Sequence, residues 1–249
     1  MTADAARRRA PRTQGIGELG PRGDPTTTSL STRRISQAIW ATVAFLILAT
    51  FVAQFMHVRW GVNTLVDLFD SDQKLNFPSA LKILLLLSAT GLFAAFGRTV
   101  HDQWHRSRWL GMSAVFAMLT LDEMTYMHQR LSDTLHDLLG TTGPIRFAWI
   151  LVYLPLVAGL AIVYWPFWRK LADPFRMQLL VAAIAFGGGS GGIEFVKSQL
   201  FDEHHWKLTY GLVASISDSL ELLGLALLVT ALLTTLRGVT ESVNFSFDA

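Results

Sequence analysis

The feature that most constrains this chain is the recurrence of apolar runs about 20 residues long, where the buried elements of a water-soluble domain seldom exceed about 12. Six such runs are read, at Ile35 to Met56, Pro78 to Phe96, Trp109 to Met127, Phe147 to Trp168, Met177 to Val196 and Tyr210 to Leu233. At 1.5 Å per residue, a helix of that length crosses a hydrocarbon core of about 30 Å. Only 16% of the 249 residues are charged, whereas a soluble domain carries about a quarter. The expected fold is all-α: a polytopic bundle of six transmembrane helices. The third span is the weakest, because Asp122 and Glu123 fall in its last turns.

Segment 1–34 holds Arg, Pro, Gly and Thr with almost no large apolar residue, and is expected to be a disordered basic cytoplasmic tail. Residues 35–236 form the six-helix membrane domain, and 237–249 a short cytoplasmic tail. Arg33-Arg34 precede an apolar run of about 22 residues without a small-residue cleavage site, which reads as an uncleaved first span rather than an export signal.

Orientation follows from Lys and Arg, which insertion retains in the cytoplasm. With the N-terminus inside, the inner segments carry fourteen of them, among them Arg98, Arg106, Arg108, Arg169, Lys170, Arg176 and Arg237. The outer segments carry six, namely Arg59, Lys74, Arg130, Arg146, Lys197 and Lys207, with Lys82 just inside the second span. Both termini are therefore expected in the cytoplasm, and a bacterial cytoplasmic membrane is the expected location. All eight Trp residues lie near span ends, where an amphipathic ring prefers to sit.

With no cysteine, thiolate nucleophiles, disulfides and cysteine metal sites are excluded. The basic residues are not interleaved with aromatics in a patch, so no nucleic-acid role is expected. A phosphate-binding glycine loop, a nucleophile-elbow serine and a lysine set in an apolar final span are all absent, which argues against an ATPase, an α/β-hydrolase and a retinal protein.

Ionisable groups inside a span cost a few kcal/mol each on insertion scales, so they usually mark function or pairing. The topology, derived from basic residues alone, gathers them on the outer side. Asp218 and Glu221, three apart on the sixth span, lie about 12 and 16 Å deep and share a face. Two buried carboxylates need a cation, an Arg or Lys partner, or a shared proton. Asp122 and Glu123 lie about 6 to 8 Å deep and are adjacent, so they face apart. Glu123 and His128 are five apart, a poor helical spacing for one site unless the helix ends or unwinds near Met127; His136 is the alternative. Glu194 and Lys197 either pair with each other or flank a site. Asp202, Glu203, His204 and His205 occupy the outer rim. The glycine run Gly187-Gly188-Gly189-Ser190-Gly191-Gly192 suits a close helix crossing, with a hinge as the other reading.

Asp122, Glu123, Asp218 and Glu221 are thus the candidate catalytic residues. Glu123, His128, Glu194, His204, Asp218 and Glu221 are the candidate ligands of a divalent metal, Zn²⁺, Mn²⁺ or Fe²⁺. The leading expectation is a metal-dependent membrane hydrolase that takes a lipid-like substrate from the outer leaflet. The alternatives are a proton or cation transporter, and a non-enzymatic subunit or assembly factor with a membrane-protein partner or in a homo-oligomer.

Overall fold

The structure, a computed structural model, describes residues 32–69, 76–139, 149–197 and 208–247. Every regular element among them is helical: α1 (Thr32–Trp60), α2 (Asn63–Phe69), α3 (Phe77–Thr99), α4 (Gln103–Thr125), α5 (Met127–Leu139), α6 (Trp149–Trp168), α7 (Asp173–Gly187) and α8 (Leu208–Phe247). A π-helical turn, Gly188–Ile193, continues α7, so that the helix extends to Lys197.

Local chemistry sets several of these boundaries. Asn76 and Ser79 form a reciprocal capping box at the start of α3, with Pro78 in the first turn where no amide is needed. Asp102 caps α4 by accepting the His105 amide at 2.9 Å. At its other end α4 stops on Tyr126, the one non-glycine residue of positive φ among the described residues, at +54°. α5 then begins at once, with a wholly different pattern: its apolar and polar residues are sharply segregated, as expected of a helix lying on a boundary rather than through a core.

Among the described residues, five helices are long and apolar enough to cross a bilayer: α1, α3, α6, α7 with its extension, and α8. The third expected span falls on α4, which has 23 residues but lies outside that set because Arg106, Arg108, Asp122 and Glu123 dilute its apolar character. Large apolar side chains such as Leu48, Leu84, Leu154, Ile162 and Ile184 are more than half exposed along these helices, an arrangement suited to a lipid solvent.

α8 occupies the centre, with α7, α3, α1 and the π-helical turn packed on it, and α4 packs along α3. Within the most apolar part of each helix, 56% of α8 is buried but only 6% of α6, so α6 is peripheral. The two ends of the bundle differ. At one, Trp109 stacks on Phe96 at 4.8 Å and meets Phe167 edge-on at 4.9 Å, while Phe93, Phe116 and Phe175 complete an aromatic layer between α3, α4, α6 and α7. Such ring pairs contribute about 0.5 to 1.5 kcal/mol each beyond their area. The other end, where α3 and α8 start and α1 and α4 finish, holds the buried charges.

Candidate functional site

Lys82 organises the charged end. One turn into α3, its ammonium lies 2.7 Å from Glu221 Oε2, 3.5 Å from Asp218 Oδ1 and 3.6 Å from Glu123 Oε1. All four side chains are largely buried, the lysine most, at 7% exposure. The cluster joins α3, α4 and α8, so three helices that meet through apolar contact elsewhere meet here through charge. Asp218 and Glu221 were expected to need a cation, an Arg or Lys partner, or a shared proton; Lys82 stands beside both. Three carboxylates thus converge on one ammonium. Carboxylates gathered in so buried a place are tolerated only with a cation or a proton among them.

The glycine run brings α8 close enough for this arrangement. Ser217 donates to the Gly189 carbonyl at 2.8 Å. A Cβ on Gly189 would stand 2.6 Å from the Ser217 carbonyl oxygen and 3.0 Å from Glu221 Cγ, so glycine at 189 is a requirement of the crossing. One turn deeper, a Cβ on Gly224 would meet the Phe186 amide nitrogen at 2.5 Å. The close-crossing reading of the glycine run therefore holds at Gly189, whereas Gly187, Gly188, Gly191 and Gly192 face open space.

Asp122 and Glu123 face apart, as adjacent helical residues must. Glu123 turns to Lys82, and Asp122 turns the other way, toward α5 and α6. Because the chain reverses curvature at Tyr126, His128 folds back over the end of α4. Its amide donates to Asp122 Oδ1 at 2.8 Å and its ring Nδ1 lies 2.9 Å from Asp122 Oδ2. Tyr153 of α6 brings its hydroxyl beside the same carboxylate. His128 thus joins Asp122 rather than Glu123.

Glu194 and Lys197 pair at 2.5 Å, with the ammonium also 6.0 Å from the centre of the Tyr210 ring. His204 and its neighbours Asp202, Glu203 and His205 lie outside the described residues, as does the side chain of His136. Of the six residues nominated as metal ligands, three (Glu123, Asp218 and Glu221) come together, but around the Lys82 ammonium. Among the described residues no group of three or more His, Asp or Glu side chains is placed to hold a metal ion. A carboxylate set of this kind suits a hard divalent ion by its oxygen donors, yet the lysine stands where such an ion would bind.

Neither of the grooves described here reaches the cluster. The larger, about 520 Å³, is apolar and runs between α1, α2 and α3, lined by Phe45, Phe69, Phe77, Leu81 and Leu84. Comparison with curated proteins and with solved structures finds no match. Residues 38–236 match the family described as a domain of unknown function, DUF8692, a span that takes in every charged residue of the cluster and the aromatic layer at the far end. The chain belongs to the DUF8692 family.

Proposed function

We propose that this is a membrane protein that binds and releases small cations, protons foremost, at the Lys82 cluster, as part of transport across the bilayer. The observation that carries the reading is the convergence of three buried carboxylates, Glu123, Asp218 and Glu221, on one buried ammonium. A site so enclosed admits a proton or a small ion more readily than an organic substrate, and buried carboxylates that share a lysine change occupancy when the protein changes conformation. In this reading all six expected helices, α4 included, cross the cytoplasmic membrane, both termini are cytoplasmic, and the cluster lies on the outer side. The aromatic layer is then the inner gate of an outward-facing state.

The test is ion flux in proteoliposomes carrying a pH-sensitive dye inside. Wild-type protein is expected to move protons in response to an imposed cation gradient or potential, and Glu221→Gln to lose most of that flux while remaining folded. Folded wild-type protein that moves neither protons nor sodium under any imposed gradient sinks the reading.

The aromatic layer also favours a second reading, since it makes the site one-sided, as in an enzyme. There the protein is an outward-facing hydrolase of a lipid-like substrate, with a divalent metal (Zn²⁺, Mn²⁺ or Fe²⁺) held by Glu123, Asp218 and Glu221 once Lys82 swings aside. Elemental analysis decides it: stoichiometric metal in wild type, absent from an Asp218→Asn, Glu221→Gln double variant, supports this reading over transport.

A further inference from the structure

We infer that Asp122, His128 and Tyr153 form a second site, separate from the Lys82 cluster, in which an oriented imidazole exchanges a proton through Nε2 with a protic donor at the rim of the bundle. The site is assembled from three helices. Asp122 ends α4, His128 opens α5 and Tyr153 reaches in from α6.

The carboxylate is committed on both oxygens. Oδ1 takes the His128 amide at 2.8 Å, and Oδ2 faces ring Nδ1 at 2.9 Å. An acceptor at Nδ1 fixes that nitrogen as N–H in the neutral ring and leaves the lone pair on Nε2. This is the arrangement by which a carboxylate turns a histidine into a directed base. The Tyr153 hydroxyl lies beside the carboxylate, and the Trp149 ring, its centre 5.7 Å from the imidazole centre and inclined to it by 66°, limits how the ring can turn. Trp149 is itself tied to α5, its amide donating to Ser132 Oγ at 3.2 Å.

Two further features separate this from a routine buried hydrogen bond. The His128 side chain is 23% exposed while Asp122 is 10% exposed, so the imidazole lies between the carboxylate and the surroundings. The geometry also depends on Tyr126 at φ +54°, a conformation that costs a non-glycine residue about 1 kcal/mol or more and that is retained where the surroundings demand it. An unbroken helix would carry His128 away from Asp122. Among the described residues, the groups around the ring are then Asp122 from α4 and Tyr153 and Trp149 from α6, while Glu123 is turned to Lys82.

In the step itself the Nε2 lone pair takes a proton from water, hydronium or a substrate hydroxyl. The donor keeps its electron pair, Asp122 stabilises the resulting imidazolium, and the reverse transfer restores the ring. This inference does not rest on the transport reading, and its test reads the imidazole alone.

Full-length protein labelled with ¹⁵N-histidine is examined in detergent micelles near neutral pH, with His128→Gln to assign the resonance. The expected result is an Nδ1–H ring with unprotonated Nε2. Asp122→Ala should abolish that preference and slow carbethoxylation of His128 by diethyl pyrocarbonate several-fold, read by peptide mass spectrometry. If Asp122→Ala does not fold, Asp122→Asn retains the volume and is expected to disturb the tautomer in the same way. An Nε2–H ring in wild type overturns the proposal, as does a His128 that resists the reagent while His57 reacts, or a tautomer unchanged in a folded Asp122 variant.

Discussion

Lys82 carries one charge for three helices, so its replacement is expected to affect more than one contact. Lys82→Met takes the shared ammonium from three buried carboxylates and should destabilise the protein by about 3 to 5 kcal/mol, as removal of one partner from a buried pair does. Glu221→Gln, which removes one buried charge and keeps a hydrogen-bonding side chain, should cost less. Combining the two should cost less than the sum, a coupling that thermal unfolding in detergent reads directly. At the aromatic end the relevant residue is Asp102. Its carboxylate is held below the ordinary range by the His105 amide and imidazole. A depressed carboxyl supports the fold above its ordinary value of 3.8 and loses that support as the pH falls through the lowered one. Amide exchange in the first turn of α4 should therefore quicken on acidification through that window, and Asp102→Ala should show the fast exchange at every pH. The sequence made the need for a cation, a basic partner or a shared proton at Asp218 and Glu221 legible, because two acids three apart on one apolar helix admit few solutions. Lys82 was visible as the basic residue inside a span, but its link to the acids depends on how α3 packs on α8, and no spacing along the chain encodes that.

Among the elements, the glycine run and the α4–α5 break show the two sides of what a pattern can convey. Small residues four apart announce a close crossing, and the structure places Gly189 and Gly224 against α8 and α7 backbone or side-chain atoms as that pattern implies. Gly189→Ala should destabilise by about 1 to 3 kcal/mol, as overpacking does, and Gly187→Ala, which faces open space, should be close to neutral or slightly stabilising. Melting curves of the two variants side by side test the assignment. The break at Tyr126 carries no comparable signal, since neither glycine nor proline marks it. The five-residue spacing of Glu123 and His128 suited one site only if the helix ended near Met127, and the partnership of His128 with Asp122 across the break could be read only from the folded chain.

For the whole molecule, composition alone carried the helical class and the apolar length of the spans, because the bilayer allows few other structures. The role of α4 was harder to read. It is long enough to span, yet polar enough to stand apart from the other five helices, and its place alongside α3 comes from the aromatic layer and the Lys82 bond, both tertiary. The absence of cysteine makes the topology directly measurable. Single cysteines introduced at Thr142 and at Asp173 should be labelled by a membrane-impermeant thiol reagent from opposite sides if α6 alone crosses between them. Labelling of both from one side would refute the six-span arrangement.

α6 keeps one narrow seam against the rest of the protein. Its partly or fully buried positions 149, 153, 160, 164, 167 and 168 fall on one face, and near its ends two tyrosines meet the neighbouring helices: Tyr153 beside Asp122, and Tyr164 through a 3.1 Å bond to the Arg108 carbonyl. Lipid alone constrains most of its other positions, and lipid does not distinguish leucine from valine or isoleucine. A saturation library over this helix should accordingly split in two. Substitutions among aliphatic residues should be tolerated almost anywhere on the outward face, while Tyr153 and Tyr164 should resist even phenylalanine and Trp149 and Phe167 should resist aliphatic residues, so that one aromatic seam carries most of the sequence information α6 contains.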